Sequence, residues 1–319
     1  MHQTESNIRS AIASAIASQG PSAGITGGRV VMTAAHGPLV IRKRLGWALK
    51  QLRVARHRQL SEIAKLLEVS ASKLSRIETG QVEPKFRDVR DLLEIYGASD
   101  TERDRILGWA NDAKAPGWWE PLGPAPSGVD LNMLISLEAE SRAKSTFSIP
   151  ISGLLQTEDY ARLLLTEVFA GQDRVEIERM VEIRMGRQNV IEPDRTEAPP
   201  LELHVLLDEV ALHRCADEEV LRGQIGELVR RGDQPNITLQ ILPFRAGWTS
   251  ATSTFSVFTP RHPETDWPMV NVEGTENDVF IDTPQAVADY QQIWQRLLDQ
   301  AMSPDDSRRM LDRRFAGRS

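Results

Sequence analysis

Residues 60–80 read LSEIAKLLEVSASKLSRIETG. Two short helical stretches, 60–67 and 71–78, are separated by about three residues, with Ser70 placed to cap the second and Gly80 placed to stop it. Ala64 falls where two helices must approach closely, and Val69, Leu74 and Ile77 are spaced to hold the second helix over a core. That is helix-turn-helix geometry.

Working outward, apolar residues recur at Ile41, Leu45, Leu49 and Leu52 with Ala48 beside them, the single-face pattern of an amphipathic helix. Phe86, Val89, Leu93 and Tyr96 predict a fourth helix that stops at Gly97, and residues 101–113 a fifth. Residues 40–115 therefore read as an all-α domain of about five helices. Residues 1–39 alternate small and polar side chains and are expected to be a disordered tail, although Ile8, Ile12 and Ile16 have i,i+4 spacing and Met32 is a plausible alternative start. Residues 116–128, PGWWEPLGPAPSG, are too rich in Pro and Gly to continue a helix, so 116–130 reads as a linker. Trp118 and Trp119 are expected to pin it to a surface; stacking on bases is the rarer use of such a pair. Helices are predicted at 131–144, 158–169 and 175–189, then short β runs at 201–207, 237–242, 253–258, 269–272 and 279–281, with helices at 217–231, 284–300 and 303–314. The fold class expected is an all-α helix-turn-helix domain followed by a larger α+β domain over 131–315.

A chain of 319 residues suits two domains, and 40% hydrophobic with 26% charged residues excludes collagen-like and wholly disordered classes. Cys215 is the only cysteine, so no intrachain disulfide or multi-cysteine metal site can form. With no run of about 18 apolar residues and no basic segment leading an apolar one at the start, a cytoplasmic location is expected. The net charge of -7 hides an asymmetry: residues 40–96 hold 13 Lys or Arg against 7 Asp or Glu, a balance of +6, which leaves -13 for the rest. A basic head on an acidic body fits a regulator whose head meets phosphates, and double-stranded DNA is the partner this implies.

The VSASKLSRIETG stretch resembles the Cro and phage-repressor, or XRE, type of helix-turn-helix over roughly residues 40–97. The resemblance implies that Ala71, Ser72 and Arg76 face base edges, Arg76 as a bidentate donor to guanine. Ser70, Lys73, Ser75, Thr79 and Gln81 are implied as phosphate or flanking contacts, and Arg42, Lys43 and Arg44 as further phosphate contacts. Arg53 and Glu78 match a structural pair tying the first helix to the end of the recognition helix. The chain departs from the pattern at Gln59 and Leu60, where Thr-Gln is usual and one phosphate contact is lost. It departs again at Glu68 and His57, where Gly is frequent; a left-handed Glu68 is strained by about 1 kcal/mol.

From residue 131 onward the chain resembles an antitoxin-like domain of unknown function found in many actinobacterial regulators of this kind. The matching pieces are WW at 118–119, LEAE at 137–140, GLLQTEDYARLLL at 153–165, RMGRQ at 184–188, LLDEVALHR at 206–214 and NITLQILPFRAG at 236–247. Ser152 departs from a usual Pro. The resemblance implies a regulator encoded beside a small partner protein, and one short recognition helix implies a homodimer reading a two-fold site. Gln156, Thr157 and Tyr160 are the partner-docking candidates, with burial in the domain's own core as the equal alternative. His204, Asp208, Glu209, His213 and Cys215 offer a nucleophile, a base and an acid on paper, but a buried cysteine and surface histidines explain them as well, so no enzyme, metal or cofactor is expected. The competing readings are an interaction scaffold that no longer binds DNA, or a body that responds to a small molecule.

Overall fold

The computed structural model describes residues 25–26, 29–30, 37–123, 130–196, 198–263, 266–274 and 277–317. The helix suggested around Ile8 to Ile16 and the alternative start at Met32 lie outside them. Residues before 34 form a separate unit, of which a two-stranded antiparallel ladder, β1 (Ile25–Thr26) with β2 (Arg29–Val30), is described.

The head contains α1 (Pro38–Ala55), α2 (Leu60–Leu66), α3 (Ala71–Glu78), α4 (Phe86–Ile95) and α5 (Asp100–Asp112). Its start corrects the expected tail boundary, because residues 37–39 are built into the fold. Pro38 sits in the first turn of α1, where its missing N–H costs nothing. Gly37 donates its N–H to Glu140 Oε1 at 3.2 Å, and a Cβ there would lie 2.4 Å from the Ser136 carbonyl oxygen. Leu45, Leu49, Ile63, Leu74, Val89 and Leu92 close the core between the helices. Gly46 lets α1 approach the end of α3, since a Cβ on it would meet the Ile77 carbonyl at 2.4 Å.

Helices α1, α2 and α3 each end in a Schellman turn. In α2, Val69 N–H donates to Ala64 O at 2.9 Å and Glu68 N–H to Lys65 O at 3.1 Å. The residue that must turn left-handed is Gly80 after α3 (φ +70°), but Glu68 after α2 (φ +55°) and His57 after α1 (φ +52°). The left-handed conformation expected of Glu68 is therefore present, and His57 adopts it as well.

The body is built on a six-stranded mixed sheet ordered β5-β4-β3-β6-β7-β8. Its strands are β3 (Ser141–Ser148), β4 (Glu202–Asp208), β5 (Ile237–Leu242), β6 (Phe255–Pro260), β7 (Met269–Val272) and β8 (Val279–Ile281). Strands β3, β4 and β5 run parallel, whereas β6, β7 and β8 join antiparallel. Its helices are α6 (Leu131–Glu140), α7 (Glu158–Val168), α8 (Arg174–Arg187), α9 (Glu218–Arg231), α10 (Pro284–Gln300) and α11 (Pro304–Phe315). The helix expected over 131–144 stops at Glu140, and the rest of that stretch starts β3. Pairing on both sides, with β4 and with β6, outweighs the helical propensity of LEAESRAK.

Register assigns each side chain to a face. Phe147, Leu206, Phe255, Val257 and Val270 share one face and pack under Val287 and Leu297 of α10. On the other, Leu203, Val205, Leu207, Leu239 and Ile241 pack against α7, α9 and α11 through Tyr160, Ile225 and Leu311. Across β3, β6 and β7 that second face turns polar while staying buried: Lys144, Thr146, Ser148, Thr254, Ser256 and Asn271 line it.

Candidate functional site

The recognition helix α3 starts at Ser70, whose side chain accepts from the Lys73 N–H at 3.1 Å, so Ser70 serves as the helix cap. Leu74 and Ile77 face inward, while Ala71, Ser72, Ser75, Arg76, Thr79 and Gln81 are exposed on the outer side. The Thr79 hydroxyl donates to Ser75 O at 3.0 Å. Among the described residues Arg76 has no ion-pair partner, whereas Lys73 Nζ donates to Asp88 Oδ2 of α4 at 2.7 Å. Behind the helix, Arg53 Nε and Nη2 donate to the Glu78 carboxylate at 2.7 and 2.8 Å, the pair expected from the sequence. The N-cap of α2, Gln59, makes no side-chain cap, in line with its departure from the usual Thr-Gln start.

The basic run at the start of α1 is placed differently from the expectation. Arg44 is 5% exposed; its Nε and Nη2 donate to Asp266 at 2.7 Å each and Nη2 also to Glu140 at 3.0 Å. Burial pulls its pKa down, but the Asp266 and Glu140 hydrogen bonds and charges outweigh that and raise it. Arg44 is therefore corrected from a phosphate contact to the bolt that joins head and body. Lys43 Nζ faces Asp282 at 3.4 Å, and Arg42 Nη2 lies 3.9 Å from Glu83, so both half-buried neighbours also have carboxylate partners. The Trp47 and Trp267 rings, 6.2 Å apart, extend the same joint.

In the body, charges gather over the polar part of the sheet. Glu138 of α6 is fully buried; it accepts from Lys144 Nζ at 2.9 Å and from Arg187 Nε and Nη2 at 2.9 and 2.7 Å. Burial pushes its carboxyl up, but the Arg187 and Lys144 charges and hydrogen bonds prevail and hold it at about 2. One turn before Arg187 on α8, Arg184 Nη1 donates to the neutral Gln156 Oε1 at 2.9 Å. Gln156 is locked in turn: its Nε2 donates to Ile151 O at 2.6 Å, and its backbone carbonyl accepts from Gln188 Nε2 at 2.7 Å. Beneath this group, Asn271 is fully buried, and its side chain faces the Asp278 carboxyl, whose pKa that contact lowers against the effect of burial.

Residues 131–313 match a family described as Domain of unknown function (DUF5753), and residues 44–106 match a Helix-turn-helix domain. The chain belongs to the DUF5753 family. No curated protein and no solved structure matches it.

Within the DUF5753 domain, three of the segments singled out in the sequence meet at the ionic centre. LEAE supplies Glu138, RMGRQ supplies Arg184, Arg187 and Gln188, and GLLQT supplies Gln156. The WW pair buttresses them: Trp118 lies against Gly186, where a Cβ would come within 2.4 Å of the ring, and Trp119 is buried beside Ile135 and Ile183. Trp119 Nε1 donates to Asn132, so the pair pins the linker to the body as expected. Helix α6 spans both centres, offering Glu138 to this group and Glu140 to Arg44. Sequence reading missed Glu138, Lys144, Arg184, Arg187 and Asn271. The signal was the alternation Lys144, Thr146, Ser148 on one strand face and the i,i+3 spacing of Arg184 and Arg187.

The partner-docking candidates are corrected as well. Gln156 and Tyr160 are 2% and 4% exposed and belong to the domain's own interior. Thr157 caps α7 by accepting from the Tyr160 N–H at 3.3 Å, and its own N–H donates to Gln224 Oε1 at 2.7 Å. The five side chains considered for catalysis are spread over structural tasks. His204 shares a hydrogen bond of 2.7 Å with Gln240 and packs edge-on against Trp294, with burial pushing its pKa down. Asp208 caps the turn after β4, Glu209 accepts from the Phe244 N–H at 2.7 Å, His213 lies near Arg314, and Cys215 Sγ donates to Asp217 O at 3.3 Å. Among the described residues no group of three or more His, Cys, Asp or Glu is arranged to hold a metal ion, and no helix is long and apolar enough to cross a membrane.

Proposed function

We propose that this protein is a sequence-specific transcriptional regulator of the Cro and phage-repressor type, which reads double-stranded DNA in the cytoplasm through α3. The helix-turn-helix match makes it a DNA-binding regulator in outline, and one observation carries the finer reading. The capped, rigidly braced α3 presents Ala71, Ser72, Ser75 and Arg76 together on its exposed side, with Arg76 free of any ion pair among the described residues. A guanidinium in that state has its fork available for guanine O6 and N7. The same reading makes the protein a homodimer on a two-fold site and an antitoxin-like regulator controlled by a small neighbouring-gene protein, with no catalytic step in the body.

Selection of binding sites from random duplex DNA tests it. The parent should enrich a two-fold sequence; Arg76→Ala should lose about 1–3 kcal/mol and relax preference at one base per half-site. Failure to enrich any sequence, or Arg76→Ala binding the selected site like the parent, overturns the assignment. A monomer on the selected DNA by sedimentation overturns the dimer.

A further inference from the structure

Arg184 is the cation of the ionic centre that no carboxylate hydrogen-bonds among the described residues; the charges of Glu273 and Glu138 reach it only at longer range. Glu138 is committed to Lys144 and Arg187, and the only hydrogen-bond partner of the Arg184 guanidinium among the described residues is the neutral Gln156. Desolvation pulls its pKa down to about 10, and the neighbouring Arg187 charge adds to the effect. A desolvated guanidinium that carboxylates reach only at a distance is costly, and an anion hydrogen-bonded to it reduces that cost.

Room for one is present. A small cleft, open to solvent, has Arg184 and Arg187 as its polar lining and Leu131, Leu165, Phe169, Met180 and Ile183 as its walls. Convergent polar groups at one point of an otherwise apolar cleft are the general form of a small-molecule site. The lining selects the ligand's chemistry. Inorganic phosphate would satisfy the arginine but cover none of the apolar wall, and a neutral hydrocarbon would cover the wall but leave Arg184 desolvated. An amine would meet two arginines.

We propose that this cleft binds a small amphipathic carboxylate, its head on Arg184 and its hydrocarbon part against Leu165, Phe169 and Met180. Arg187 remains with Glu138 and repels cationic competitors at the same mouth. The site is independent of the DNA-binding reading, because it lies wholly in the DUF5753 domain and its test uses no DNA.

Calorimetric titration of the full chain with octanoate, octylammonium and inorganic phosphate as probes decides it. Octanoate should bind saturably at one site per chain, with affinity falling as salt rises, and the other two probes should give no saturable heat. Arg184→Met, which keeps the length and packing of the side chain, should weaken octanoate at least tenfold, and Arg184→Lys should recover most of that loss. Phe169→Glu, at a half-buried wall position, puts a carboxylate in the cleft without touching the Gln156 contact and should abolish binding. It decides the matter if Arg184→Met does not fold. Absence of saturable octanoate binding to the parent overturns the proposal, as does octanoate affinity unchanged in Phe169→Glu or in folded Arg184→Met, or phosphate binding as tightly as octanoate.

Discussion

Arg44 and Asp266 are joined by two hydrogen bonds of 2.7 Å, Nε to Oδ1 and Nη2 to Oδ2, between the first helix of the head and the loop that precedes β7. A residue whose charge and position suggest DNA is thereby committed to the body. Removing one partner of a buried pair leaves the other uncompensated, a loss of about 3–5 kcal/mol, reduced toward the lower figure here because Glu140 still faces Arg44. Asp266→Ala should therefore lower the stability of the full chain by about 3 kcal/mol in urea denaturation. Arg44→Ala should destabilise comparably yet leave the salt dependence of DNA binding unchanged. A drop in that salt slope by about one phosphate contact would place Arg44 on the DNA backbone after all.

The two left-handed residues give a test on the head. Glu68 and His57 occupy positions where a Cβ crowds the backbone, at about 1–2 kcal/mol per residue, offset in glycine only by its greater freedom when unfolded. Glu68→Gly and His57→Gly should each raise stability by up to about 1 kcal/mol, while Glu68→Ala should give no gain. Thermal unfolding of the three variants measures it; equal melting temperatures for Gly and Ala at position 68 would mean the turn carries no strain.

Much of the fold was legible because its signals are local. The 3.6-residue spacing of Leu45, Leu49 and Leu52, the Ser70 cap and the Gly80 stop are each settled within a few residues. The recognition helix was read on the same grounds, whereas the Arg53–Glu78 pair followed from the resemblance to the Cro and phage-repressor type. What stayed hidden depends on partners far along the chain. Strand β3 looks helical until β4 and β6 pair with it, and Arg44 looks like a phosphate ligand until Asp266, 222 residues later, takes it. Part of the head's positive balance is thus answered by the acidic body, at Arg44 with Asp266 and Lys43 with Asp282. The ionic centre escaped because periodicity arguments track apolar residues, and its members are polar side chains buried on one strand face and one helix.

Tyr160 separates a core role from a docking role. It is packed with Ile151, Leu155 and Leu207 on the apolar half of the sheet, and burial raises its pKa. Truncating a buried aromatic costs about 3–5 kcal/mol. Tyr160→Ala should therefore destabilise or unfold the body, seen as a lower urea midpoint. A variant as stable as the parent that has lost association with a second chain would restore Tyr160 to an interface.

Glu138 ties stability to pH. In the unfolded chain its carboxyl titrates near 4.5, and in the fold at about 2, because Arg187 and Lys144 outweigh its burial. Between those values the unfolded chain takes up a proton that the native state refuses, so this contribution is complete above about pH 4.5 and is lost as pH falls toward 2. Its size is roughly 3 kcal/mol, at 1.36 kcal/mol per pKa unit. Glu273, in the field of Lys144, Arg184 and Arg187, and Asp278, in that of Arg187, act in the opposite direction: burial pushes their carboxyls up, so they favour the fold less as pH rises past their unfolded values. Total stability therefore mixes both signs, and a difference measurement isolates Glu138. Urea denaturation of the parent and Glu138→Gln from pH 2 to 7 should show a gap of about 3 kcal/mol or more at neutral pH that closes progressively below pH 4.5. A gap that stays constant over that range would show that Glu138 is not held ionised by its two cations.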